Sequence, residues 1–158
     1  MAVPFKIDNS GRSLSWEWFL ANAKERILQV GTHRGQRCRK DAVIVDKYDP
    51  AADLMEDIMA LEQMAQFGSC CCHAILEHVP DYGLALDSIH YCLTPGAMIH
   101  VEVPWNQPLH YEGEWRDYWR FSVFGLRVAL ENHGFEVTHI GWFGEPDYAS
   151  VYAMGVRI

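Results

Sequence analysis

The chain has 158 residues, enough for one domain with a substantial core. With 49% apolar and 22% charged residues it reads as a soluble globular protein, and no apolar run approaches the roughly 20 residues that cross a bilayer. A formal net charge of −8 argues against nonspecific nucleic-acid binding through overall charge, though not against a local basic patch.

The first residues, MAVPFKIDNSGRS, hold no apolar h-region, so no signal peptide is read there, and the lead-in over 1–14 shows no periodicity. Ser15 is placed to cap a short helix from Trp16 to Ala23, with Trp16, Phe19, Leu20 and Ala23 on one face covering the core. Arg26 to Gly31 reads as a first buried strand that runs into the turn Gly31-Thr32-His33-Arg34-Gly35. A second strand, Ala42 to Val45, ends on Asp46. Only residues 32–41 join the two, so a helix between them must be stunted or absent. Ala52 to Ile58 is expected to hold a short edge strand, and 59–65 a weak helix.

The stretch SCCCHAILEHVPDYGLALDSIHYCLTPGAMIHVEVP, residues 69–104, organises the rest. An apolar strand, Ser69 to Ile75, meets the polar corner Glu77-His78-Val79-Pro80-Asp81. A helix follows, with Tyr82, Leu86, Ile89 and Leu93 on one face. Thr94-Pro95-Gly96 stops it, and a second strand, Met98 to Val103, ends at Pro104. Strand, crossover helix and strand make the βαβ unit of a parallel sheet, whose ligands sit beyond the carboxyl ends of the strands. The polar and aromatic segment WNQPLHYEGEWRDYWRFS has the length of a lid or binding loop. Ser122 caps a helix from Val123 to Asn132, which His133-Gly134 ends. Phe135 to Phe143 and Ser150 to Ile158 complete the pattern as an antiparallel hairpin at one side of the sheet.

Five groups of residues bear on chemistry. A glycine turn after the first strand and an acid closing the second suit a nucleoside, because glycine lets a ligand approach the backbone and a carboxylate accepts both ribose hydroxyls. Glu77 and His78 stand at a strand's carboxyl end. There a histidine can take a proton from an oxygen or nitrogen nucleophile, or the pair can simply tie down the corner. In the lid, Tyr118, Trp119 and Arg120 read as structural, with Asp117 pairing Arg120, while His110 and Trp115 are open to substrate. Cys70-Cys71-Cys72-His73 alternates faces along a strand, which is poor geometry for a four-coordinate metal. With five cysteines, an odd count, free thiols in a reducing cytoplasm are the simplest reading. The basic cluster Arg34, Arg37, Arg39 and Lys40 is read as a solvated loop able to contact a carboxylate or phosphate.

The segments ILQVGTHRG, AVIVDKYDPAADLMEDI, AILEHVPDYGLALDSIHYCLTPGAMIHVEVP and DYWRFSVFGLRVALENHGFEV resemble the small class I S-adenosylmethionine-dependent methyltransferases. The resemblance implies a Rossmann-like three-layer α/β domain over 26–158, with 1–25 as an arm and covering helix. It implies a seven-stranded, mostly parallel sheet whose last strand is antiparallel. It implies S-adenosyl-L-methionine as cofactor, with Gly31, Thr32 and Gly35 at the methionine end and Asp46 on the ribose hydroxyls. Lys47, Asp57 and Ile58 would lie by the adenine, and His73 and Ala74 under the methyl donor. Family members usually carry an acid in the first strand where this chain has Gln29, and the loop GTHRG is less glycine-rich. Methyl transfer to an unidentified oxygen or nitrogen nucleophile, on a small molecule or a surface glycan or protein, is the expected function. His78 and Glu77 are the catalytic candidates, and no metal is required. The alternatives are a binding or scaffolding protein that kept the fold without turnover and, more weakly, a cysteine-based metal or redox protein.

Overall fold

Seven strands, β1 (Lys6–Asp8), β2 (Ile27–Val30), β3 (Ala42–Val45), β4 (Phe67–His73), β5 (Leu93–Pro104), β6 (Phe135–Phe143) and β7 (Ser150–Arg157), and three helices, α1 (Arg12–Asn22), α2 (Tyr82–Cys92) and α3 (Val123–Asn132), form in a computed structural model that describes residues 6–8, 12–32, 36–144 and 149–158. The strands make one sheet in the order β1-β6-β7-β5-β4-β2-β3. Pairs β1–β6, β2–β3, β2–β4 and β4–β5 are parallel, and β7 runs antiparallel to both β5 and β6. This is a Rossmann-like α/β sheet with an antiparallel carboxyl-terminal hairpin.

Strand alternation sorts the core. Cys70 and Cys72 of β4 face one side with Leu28, Ile99 and Val101, and there α2 and α3 bury Leu86, Ile89, Leu126 and Leu130. Cys71 faces the other side with Ile27 and Met154, where α1 lays down Phe19 and Ala23. Side-chain caps begin α2 and α3, the second of them at the Ser122 expected from the sequence. Asp81 accepts from the Leu84 N–H at 3.0 Å, and Ser122 from the Gly125 N–H at 3.0 Å. Gly134, at φ +83°, takes the left-handed turn that ends α3.

Five expectations are corrected. The edge strand within Ala52–Ile58 shrinks to one bridge, Val45 to Leu54. The reason is Asp53, whose carboxylate takes the Ile44 N–H at 2.8 Å and so replaces a ladder bond along the edge of β3. The helix over 59–65 is absent; Asp57 caps a single 3-10 turn, Ile58–Ala60, and the chain then runs irregularly. The seventh strand comes instead from the lead-in, where β1 pairs with β6 beyond the hairpin. Ser15 lies inside α1 rather than capping it, and its Oγ stands 3.1 Å from His100 Nε2. Finally, β4 ends at His73 and not Ile75, because Ala74 adopts φ +53° and breaks the extended backbone.

Leu126 is fully buried between α3 and the sheet, whereas Val128 on the same helix is 52% exposed. Leu126→Ala is expected to lower stability by about 2–5 kcal/mol and Val128→Ala by about 0.5 kcal/mol or less, measured by urea denaturation. Equal effects would contradict the burial described.

Candidate active site

β3 and β4 flank β2 on opposite sides, so the chain leaving β2 turns outward while the chain leaving β4 turns toward β5. The carboxyl ends of β2 and β4 therefore part, and a crevice opens between them. It forms a cleft of about 370 Å³ bounded by Val30, Gly31 and Thr32 after β2, Asp46 to Tyr48 after β3, and His73 to Ile75 after β4. The 3-10 turn with Asp57 and Ile58 closes one end. His78, His110 and Trp115 stand at the other.

The turn after β2 is fixed from below by Gln29, which is 5% exposed. Its amide nitrogen donates to the Gln36 carbonyl at 2.8 Å and, more weakly, to the Gly31 carbonyl at 3.4 Å. Its amide oxygen accepts from the Cys38 N–H at 2.7 Å. A carboxylate has no proton to give those carbonyls, so the glutamine is matched to the turn it holds. Gly31 sits at φ +83°, and a Cβ there would lie 2.3 Å from Ile75 Cδ1, so both conformation and space demand glycine.

Asp46 organises the next corner. Its Oδ1 accepts from the N–H groups of Tyr48 at 2.8 Å and Asp49 at 3.0 Å, and its Oδ2 accepts from the Thr32 N–H at 3.1 Å. A carboxylate offers about four acceptor positions, and the last of them is taken only weakly, by the Thr32 hydroxyl at 3.5 Å from Oδ2. Lys47 and Asp57 pair across the cleft's end at 2.9 Å, and the Lys47 ammonium lies 5.6 Å from the Tyr48 ring centroid. Burial works to raise the Asp57 carboxyl, but bonds from Lys47 and the Met59 N–H outweigh it and leave the pKa lowered.

At the far end, the irregular segment after β5 is clamped onto the corner following β4. The Tyr118 N–H donates to the Glu77 carbonyl at 2.7 Å, and the Trp119 indole to the Val79 carbonyl at 2.8 Å. Arg120 binds Asp117 through both guanidinium nitrogens and holds that carboxyl down to about 2. These residues are structural, as expected, while His110 and Trp115 stay substantially exposed. The His78 and His110 rings meet edge to face at 4.8 Å. Burial depresses the His78 pKa, which favours the neutral imidazole. Glu77 is fully buried without a hydrogen-bond partner on either oxygen, and burial pushes its carboxyl up to about 7.

Of the residues singled out in the sequence, Gly31, Thr32, Asp46, Lys47, Asp57, Ile58, His73, Ala74, His78, His110 and Trp115 all border this one cleft. Glu77 lies behind it and lines a smaller hollow of about 80 Å³ that His110 also borders. Gly35 and Arg34 fall outside the described residues. Tyr48, Glu56 and Val79 line the cleft without having been singled out. Tyr48 and Val79 are sequence neighbours of chosen residues and were open to the same reasoning. A buried chain was not legible: His73 Nε2 stands 2.9 Å from His100 Nδ1, whose ring reaches Ser15, and no periodicity links these positions.

Two members of the basic cluster, Arg37 and Arg39, serve the fold. Arg37 pairs with Asp53, and Arg39 pairs with Asp41 while donating to the carbonyls of Leu20, Ala23 and Lys24. All five cysteines are free thiols.

No family model matches the chain, and no curated protein matches it either. Solved structures do. The 1,6-didemethyltoxoflavin-N1-methyltransferase of Burkholderia thailandensis, bound to 1,6-didemethyltoxoflavin and S-adenosylhomocysteine, aligns at TM-score 0.71 and 19% identity over 92% of this chain and 76% of that one. The N-methyltransferase NodS of Bradyrhizobium japonicum, with S-adenosylhomocysteine, aligns at TM-score 0.66 and 12% identity over 95% and 89%. The [4+2]-cyclase SpnF aligns at TM-score 0.71 and 13% identity over 92% and 78%. The chain has the fold of the class I S-adenosylmethionine-dependent methyltransferases.

Two outcomes follow from the site's geometry. Gln29→Glu sets a carboxylate against two carbonyls and is expected to destabilise the protein by about 1–3 kcal/mol in urea denaturation; unchanged or higher stability would contradict the role given to the amide. For Glu77, the folded protein holds the proton more tightly than an ordinary glutamate near 4.5. Stability in the presence of EDTA is therefore expected to be highest below about pH 4.5 on this account and to fall by about 3 kcal/mol as pH rises through 7. Glu77→Gln should remove that slope, and a wild-type slope that survives the substitution would assign it elsewhere.

Proposed function

We propose that the cleft binds S-adenosyl-L-methionine and that the protein transfers its methyl group to an oxygen or nitrogen nucleophile on a small molecule or a polymer-linked substrate. The observation that carries this is the convergence of Gly31, Asp46, the Lys47–Asp57 pair and the end of β4 on one cleft at the switch point of the sheet. The volume, about 370 Å³, lies within the range of small-molecule sites, ~300–1,000 Å³. A three-layer domain over 26–158, covered by 1–25, is supported by α1 packing on one face and by α2 and α3 on the other.

S-adenosylmethionine carries an activated methyl on a sulfonium centre, so the protein's task is alignment and exclusion of water. Gly31 and Thr32 receive the methionine end, with Gly35 following in the same loop. Asp46 Oδ2 accepts from the ribose, while Lys47, Asp57 and Ile58 border the adenine. His73 and Ala74 floor the cleft beneath the methyl, with the Trp16 ring packed on His73 at 4.6 Å. His110 and Trp115 flank the acceptor. His78, backed by Glu77, presents a lone pair on that side. The described residues include no helix long and apolar enough to cross a membrane, and five free thiols support a cytoplasmic setting.

A second reading, a non-catalytic binding module, is favoured by the three backbone N–H bonds that already occupy Asp46. Calorimetric titration with S-adenosylhomocysteine separates the two. Saturable binding that Asp46→Ala weakens at least tenfold is expected, about 1.5–3 kcal/mol for bonds to a charged group. No heat at millimolar ligand, or binding indifferent to Asp46→Ala, would overturn the cofactor assignment.

A further inference from the structure

Glu77 is the anomaly of the acceptor end. Its side chain is wholly buried, neither carboxylate oxygen has a hydrogen-bond partner, and such burial is strongly unfavourable unless a charge or a donor compensates it. Arg120 compensates only in part: its charge favours the Glu77 carboxylate across space, but its guanidinium hydrogen bonds go to Asp117 and to the carbonyls of Gln107, Pro108 and Trp119. What does face Glu77 is a second set of lone pairs.

His78 Nε2 stands 3.6 Å from Glu77 Oε1, while its Nδ1 lies 2.8 Å from the Arg116 carbonyl oxygen. A carbonyl only accepts, so Nδ1 carries the proton and Nε2 keeps its lone pair. His110 repeats the arrangement: Nδ1 lies 3.2 Å from the Pro108 carbonyl oxygen and 3.3 Å from Asp117 Oδ2, which leaves the lone pair on its Nε2. One donor atom from each of Glu77, His78 and His110 falls within 4.8 Å of the others. Glu77 and His110 also share the small hollow of about 80 Å³. Three lone-pair donors converge, and no cationic side chain is hydrogen-bonded to Glu77 among them.

We propose that Glu77, His78 and His110 bind a divalent first-row transition-metal cation at the acceptor end of the cleft. Two imidazoles and one carboxylate suit ions from Mn²⁺ to Zn²⁺ and leave coordination positions open. The carbonyls of Arg116 and Pro108 and the Asp117 carboxylate are the outer partners that orient the two rings. The present spacing is wider than that of ligands on a single ion. Binding draws in His110, which sits on the irregular segment after β5 and is free of regular secondary structure.

The ion's use rests on the methyl-transfer reading. His78 and His110 border the main cleft as well, so the open positions face the acceptor. A cation there lowers the pKa of a hydroxyl it holds, which assigns the acceptor to hydroxyl-bearing compounds. In that transfer the hydroxyl proton leaves to water, the oxygen pair forms the C–O bond, and the C–S pair returns to sulfur.

The test is titration of the full chain with Mn²⁺ without S-adenosylmethionine, followed by the electron paramagnetic resonance signal of the free ion. Failure of the cofactor reading therefore leaves this result unaffected. One Mn²⁺ per chain is expected, with at least tenfold weaker binding in both Glu77→Gln and His110→Ala. His133→Ala, outside the cluster, should bind as wild type. Proton relaxation of the bound ion should show exchangeable inner-sphere water. Glu77→Gln removes a buried charge and His110 is a partly exposed loop residue, so both variants keep the fold. Absence of stoichiometric binding at 1 mM Mn²⁺, or binding indifferent to either substitution, would overturn the site. A bound ion without exchangeable water would overturn its role toward the acceptor.

Discussion

The growth of the sheet in two directions from β2 is the constraint on which the rest depends. Because β3 and β4 take opposite sides of that strand, the loops leaving β2 and β4 diverge, and no side chain has to be removed to make a cavity between their ends. Three of the residues assigned to ligand binding are simply the next residue after a strand: Gly31 after β2, Asp46 after β3, Ala74 after β4. The apolar strand interiors, by contrast, are spent on the two faces that α1, α2 and α3 cover.

The corner after β2 is then held by hydrogen bonds rather than by a helix. Gln29 reads both ends of the turn, donating to carbonyls and accepting from an N–H, and this local complementarity holds a connection whose described residues form no helix. The acid usual at this position in methyltransferases of this fold would be mismatched against the same carbonyls. The substitution is thus coupled to the shape of this loop, and Asp46 adds the second tie through the Thr32 N–H.

Much of this was legible in the sequence because it depends on local signals. Ser122 capped the helix expected of it, Gly134 ended α3, and alternation placed the three consecutive cysteines on opposite faces. The failures share a cause in tertiary contacts that short-range patterns do not carry. Asp53 substitutes a side chain for a ladder bond and suppresses an edge strand. Three residues of β1 are too few to show a period yet find a partner in β6. Ser15 has the identity of a cap but serves His100, 85 positions away in sequence. In the site, positions next to strand ends named from the sequence border one cleft, while the unpaired burial of Glu77 became visible only once the fold had enclosed it.

The fold itself does not fix the chemistry, since an N-methyltransferase and a [4+2]-cyclase share it with this chain. The central claim is narrower: the crevice between β2 and β4 holds an adenosine with its sugar on Asp46. A crystal structure of the protein grown with S-adenosylhomocysteine tests it most directly. The account predicts the ligand along the cleft, ribose hydroxyls within hydrogen-bonding distance of Asp46 Oδ2, adenine beside the Lys47–Asp57 pair, and sulfur above Ala74 facing His78. A cleft left empty at saturating ligand, or a ligand bound away from Asp46, would contradict it.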